Sequence, residues 1–141
     1  MKVMVFVKGN PESEAGAMPS EEVFREMGKF NEDLVNAGVM LAGEGLTPSA
    51  QGKRVQFAGK KRTIIDGPFT ESKELVAGFW MWQVKNMDEV LEWIKRSPFQ
   101  EGEVELRPVF ETEDFAASDP TGELRAQENR LREQSAANAK K

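Results

Sequence analysis

The sequence predicts an α+β domain on the split βαβ, ferredoxin-like plan, with one β-hairpin inserted and a helix appended at the C-terminus. Two observations carry that expectation. Strand-like and helix-like hydrophobic patterns succeed one another in the order strand, helix, strand, hairpin, strand, helix, strand. The two segments that are apolar on both faces, Lys2 to Lys8 and Leu75 to Lys85, are also the two that this plan places side by side in mid-sheet.

Taken in order, Lys2 to Lys8 is a short apolar run closed by charges and stopped by Gly9-Asn10-Pro11. The segment from Gly9 to Pro19, rich in Gly, Pro, Ser and Glu, reads as a loop. Ser20 then offers an N-cap, with Glu21 and Glu22 in the first turn, where the helix dipole favours anions. Val23, Met27, Phe30, Leu34 and Ala37 fall on one helical face, and Gly38 can supply the left-handed C-terminal cap. Val39 to Thr47 reads as a strand whose Gly43 and Gly45 permit a bulge or a close backbone approach. Lys53 to Phe57 and Lys60 to Ile65 flank Ala58-Gly59 as the hairpin.

Leu75 to Lys85 is the most informative strand. One alternating set is Val76, Gly78, Trp80, Trp82 and Val84, the other Leu75, Ala77, Phe79, Met81 and Gln83, so neither face is polar. Asn86 with Glu89 three residues on forms a capping box that opens a helix ending at Lys95, Arg96 and Pro98. Val90, Leu91 and Ile94 are expected to face the core, with Trp93 at its margin. In Glu103 to Val109, Val104 and Leu106 point inward and Glu105 and Arg107 outward. Residues 1–114 are expected to form the domain, and 115–141 a linker and helical extension. Asp119-Pro120 is a standard opening for that last helix, and only Leu124 and Leu131 mark its apolar side.

Composition narrows the function classes. A chain of 141 residues can bury a single core without staples. It has no run of about 18 apolar residues and no basic, apolar leader at Met1, so a soluble, cytoplasmic protein with no membrane partner is expected. Cysteine, histidine and tyrosine are absent, which leaves proton transfer to carboxylates, lysines and water. The net charge of -5 opposes nucleic acid, and the basic hairpin residues Lys53, Arg54, Lys60, Lys61 and Arg62 lack interleaved stacking aromatics. No spacing demands a metal, and no phosphate loop, triad or dinucleotide fingerprint is present, so no cofactor is expected.

Two helices can cover only one face of the four-stranded sheet. Leaving the other face of the Trp-bearing strand in water would forgo roughly 25 cal/mol per Å² of apolar area. The economical cover is a second copy, sheet against sheet, giving a homodimeric α/β barrel; the alternative is that the hairpin or the last helix folds back over that face.

The stretch Thr63-Ile64-Ile65-Asp66-Gly67-Pro68-Phe69-Thr70-Glu71-Ser72-Lys73-Glu74, followed by Gly78-Phe79-Trp80, resembles the signature of the DGPF group within the YciI-like (YCII-related) family. Ala37-Gly38-Val39, Gly43-Glu44-Gly45-Leu46, the Asp88 to Trp93 helix and Val104 to Val109 extend the resemblance across about residues 1 to 110. It implies the same dimeric α/β barrel. It also implies a family of suspected enzymes, some of whose members lie beside or are fused to extracytoplasmic-function sigma factors. A His and Asp pair has been proposed as the active site in one branch. With no histidine here, only the carboxylate idea carries over, to Asp66.

Asp66 is thus the candidate catalytic residue. A turn that buried it beside the aromatic strand would raise its pKa toward general-base use, whereas the plain reading is an Asx-type turn. Glu44, between two glycines, is the companion carboxylate. Thr70, Glu71 and Lys73 are candidates for bonding a polar ligand, Phe69, Trp80 and Trp82 for an apolar pocket wall, and Arg107 for an anionic group. Each also has a structural reading as loop, core or surface. Two functions stay open: a homodimeric small-molecule-binding protein or enzyme with a pocket at the Asp66 turn, and a non-catalytic regulatory module linked to transcription initiation.

Overall fold

The computed structural model describes residues 1–71 and 74–139. It contains two compact units, Met1–Pro108 and Val109–Lys141. The first holds, in order, β1 (Lys2–Lys8), α1 (Pro11–Glu14), α2 (Glu21–Asn36), β2 (Met40–Gly45), β3 (Lys53–Ala58), β4 (Lys61–Asp66), β5 (Val76–Gln83), α3 (Met87–Lys95) and β6 (Val104–Pro108). The second holds a 3₁₀ stretch, Thr112–Ser118, and α4 (Glu123–Ala139).

The main sheet has the order β2-β5-β1-β6, with antiparallel neighbours throughout. This is the ferredoxin-like arrangement, with the doubly apolar strands β1 and β5 in the centre. Strands β3 and β4 form a separate two-stranded sheet. The hairpin exposes Val55, Phe57 and Ile64, and the register puts Val55 opposite Ile64.

Alternation along β5 divides its side chains between two environments. Trp80, Trp82 and Val84 join Val3 and Val5 of β1 beneath Phe30 and Leu34 of α2 and Val90 and Trp93 of α3. Val3, Val5, Leu34 and Val90 are fully buried, each worth about 1.5–3 kcal/mol. Trp93 lies inside this core and Leu91 is exposed, the reverse of the expected placement. The helix turns Val90 and Trp93, three residues apart, toward the sheet, and the Arg96 guanidinium covers the Trp93 ring at 4.3 Å. On the opposite face of the sheet, Met4 pairs with Met81 and Phe6 with Phe79, and all four are half-buried.

Caps account for the helix starts. Ser20 Oγ accepts from the Val23 amide and Asn86 Oδ1 from the Glu89 amide. The expected loop after Gly9 contains α1, because Asn10 and Ser13 cap each other's backbone amides reciprocally. In the second unit, α4 begins at Glu123, not at Asp119-Pro120. Asp119 instead reaches forward to accept from the amides of Leu124 and Arg125 and from Arg125 Nε. No residue of α4 is buried, and both Leu124 and Leu131 are exposed. Among the described residues, no helix is long and apolar enough to cross a membrane.

Candidate functional site

The cleft that gathers an aromatic wall and polar groups lies between α2, β2 and β5. It has a volume of about 300 Å³, at the small end of ligand pockets. Three glycines make it. Gly43 and Gly45 alternate on β2, and Gly78 lies opposite Gly45 on β5. A Cβ on Gly43 would come within 2.7 Å of the Trp80 ring, so only glycine lets the indole lie against the edge strand. Gly45 faces open space: a Cβ there would meet nothing within 4 Å. The absence of side chains at Gly43 and Gly45 leaves the hollow that Met27, Asn31, Val7 and Phe99 enclose.

Trp80 is fixed on several sides. Its ring meets Phe30 and Phe99 edge-on, at 5.8 and 6.0 Å between centroids, and Trp82 at 5.5 Å. Its Nε1–H donates to Asn31 Oδ1 at 2.9 Å. Asn31 and Met27 are four residues apart on α2 and so share a face of the helix. A larger cleft of about 350 Å³ also touches Val7 and Phe99, and its lining carries Lys8, Lys95, Glu101 and Glu103. It has charges of both signs and no tryptophan.

The candidate residues disperse. Trp80 and Glu44 line the cleft, but Glu44 pairs in register with Phe79, so its side chain belongs to the other face of β2 and contributes at the rim. Trp82 is sealed in the core and does not form a pocket wall. Its Nε1 is buried without a hydrogen-bond partner among the described residues. Arg107 is exposed on the outer face of β6, beside Glu105 at 3.1 Å. Glu105 is held below the ordinary carboxylate range, first by that bond and then by the Lys8 charge.

Asp66 is not buried and does not line the cleft. It ends β4, with its side chain 74% exposed and its carboxylate paired to Lys53 across the hairpin. The burial beside the aromatic strand that a general-base role would require is therefore not found. The turn it opens forms a clasp. The Gly67 amide donates to the Gly52 carbonyl, and the Phe69 amide donates to Ser49 Oγ at 3.0 Å. The Ser49 hydroxyl and amide in turn donate to the Glu14 carboxylate. Phe69 lies under the Arg54 guanidinium at 4.0 Å, at the hairpin base and away from the cleft. Thr70 and Glu71 are exposed beyond it, and Lys73 falls outside the described residues.

Asn31, Met27 and Phe99 were not expected at a site. Asn31 carried a signal: it is a polar residue on the apolar stripe, four after Met27 and three before Leu34. Phe99 carried none, since it lies in the irregular segment after α3. Among the described residues, no group of three or more metal-binding side chains is assembled.

Residues 1–113 match the YCII-related domain, and the chain belongs to that family. It is 27% identical over 106 residues to uncharacterized protein R00369 of Rhizobium meliloti (strain 1021), a match covering 71% of this chain and 86% of that protein. Among solved structures it is similar to 5-chloro-2-hydroxyhydroquinone dehydrochlorinase (TftG) of Burkholderia phenoliruptrix AC1100, determined in complex with 2,5-dihydroxybenzoquinone. The identity is 18% and the TM-score 0.42, covering 80% of this chain and 98% of that one.

Proposed function

We propose that this protein binds a small organic molecule in the cleft over Trp80, and that it does so as a homodimer of the DGPF group. The observation that carries the first part is the glycine-floored edge strand. Three side-chain-free positions hold a hollow open beside an anchored indole, where a core without a ligand would be filled to native packing density. Asp66, Phe69 and the turn between them serve as the clasp that seats the hairpin, which gives the motif an architectural role.

The second part rests on the outer face of the sheet. Met4, Phe6, Phe79 and Met81 form a half-buried apolar strip, and the register places Glu44, Glu105, Arg107 and Lys2 around it. One face bearing both signs of charge about an apolar centre suits a two-fold contact with its own copy. A regulatory module remains a second reading, favoured by the exposed Val55, Phe57 and Ile64 set among the basic residues of the hairpin.

Crystals soaked with a library of small aromatic fragments test the first part. Density between α2 and β5, against Trp80, is expected. Fragments seated only elsewhere would overturn it.

A further inference from the structure

We infer that the ligand of this cleft is an uncharged aromatic molecule carrying an oxygen acceptor, held by the side-chain amide of Asn31. The inference rests on the cleft being the binding site, and the steps are chemical.

An indole N–H can only donate. Trp80 Nε1 lies 2.9 Å from the Asn31 side chain, so the atom facing it must be the carbonyl oxygen, and this fixes an orientation that amide geometry alone would leave open. The Asn31 Nδ2 group is thereby turned away from Trp80 with both its protons. Among the described residues no protein group accepts from it, and it is not one of the buried atoms lacking a partner. Asn31 is half-buried and lines the cleft, and its unpartnered amide is the donor available there. A ligand that displaces the water this accessible amide can bond is favoured if it offers an acceptor in its place.

Charge selects further. No lysine or arginine lines the cleft, and the one ionisable residue, Glu44, is acidic. An anionic acceptor such as a carboxylate would lose its hydration and find no cation in the lining to replace it. A carbonyl or similar neutral oxygen meets neither cost. Shape agrees: about 300 Å³ accommodates one or two fused rings, with the exposed Phe99 ring and the small exposed part of Trp80 at the wall.

The test uses the full chain, with indole N–H resonances followed by NMR during titration with acetophenone, ethylbenzene and benzoate. These probes match in size and differ in having a neutral acceptor, none, or an anionic one. Acetophenone is expected to bind about three- to tenfold more tightly than ethylbenzene, the range of one net hydrogen bond, and benzoate more weakly than acetophenone. In Asn31→Asp the carboxylate still accepts from Trp80 but donates nothing. There the advantage of acetophenone over ethylbenzene should vanish, while the Trp80 indole resonance remains in its hydrogen-bonded position. Equal affinity for acetophenone and ethylbenzene in the unaltered chain would overturn the acceptor requirement while leaving the cleft as the site. Benzoate binding best would overturn the neutral class. If no probe shifts the Trp80 resonance, the binding cleft itself fails along with the inference.

Discussion

The backbone of Gly67 lies directly against the carbonyl oxygen of Ser49, with no room between them for a Cβ. This contact, with the Phe69 amide on Ser49 Oγ, joins the hairpin base to the segment that Glu14 anchors. Gly67→Ala forces backbone apart and should cost about 1–3 kcal/mol, as overpacking does. Urea unfolding measures it, and an unchanged midpoint would contradict the clasp.

Asp66→Asn should behave differently. The pair with Lys53 is solvent-exposed on both sides, so its loss should change stability by no more than about 1 kcal/mol. Ligand affinity at the Trp80 cleft should not change at all. A binding or turnover defect in a stably folded Asp66→Asn protein would return this carboxylate to the site.

Trp82→Ala should be the most damaging of the aromatic substitutions, at about 3–5 kcal/mol, because the side chain is fully enclosed. Denaturant titration with an unchanged m-value would show it. A loss below 1 kcal/mol, as for a surface residue, would contradict the placement of this tryptophan in the core.

The second unit carries an acid-sensitive cap. Asp119 is held below its ordinary value of 3.8, chiefly by the Arg125 amide, with the Leu124 amide and the Arg125 side chain adding to it. A carboxylate lowered on folding stabilises fully above its unfolded pKa, and the contribution is lost as pH falls through the lower folded value. Below about pH 3.8 the start of α4 should therefore fray, read by amide exchange at Leu124 and Arg125. In Asp119→Asn that step should vanish. A step of equal size in the variant would assign it elsewhere.

Much of this was legible in the sequence because the signals were local. The doubly apolar β1 and β5 occupy mid-sheet, and Ser20 and Asn86 cap the helices that their patterns announce. The site was less legible. Trp80 and Trp82 are alike in sequence, two residues apart on one face, and only the glycines of the neighbouring β2 decide that one borders a cleft while the other is sealed. Asp66 looks like chemistry because it stands in a dense motif. That motif is dense because the hairpin base needs a glycine, an amide donor and an aromatic ring in adjacent positions.

The proposed sheet-to-sheet homodimer predicts that Phe79→Asp, a charge placed in the apolar strip, yields the mass of one chain by sedimentation equilibrium where the unaltered protein gives two. A single-chain mass for the unaltered protein at micromolar concentration would contradict it.

The proposed binding cleft is tested most directly at Gly45, where a Cβ would meet no atom within 4 Å. Gly45→Val should leave the indole spectrum of the folded protein intact while abolishing the saturable shift of the Trp80 N–H on addition of acetophenone. The same shift with the same affinity in both proteins would place the ligand somewhere else.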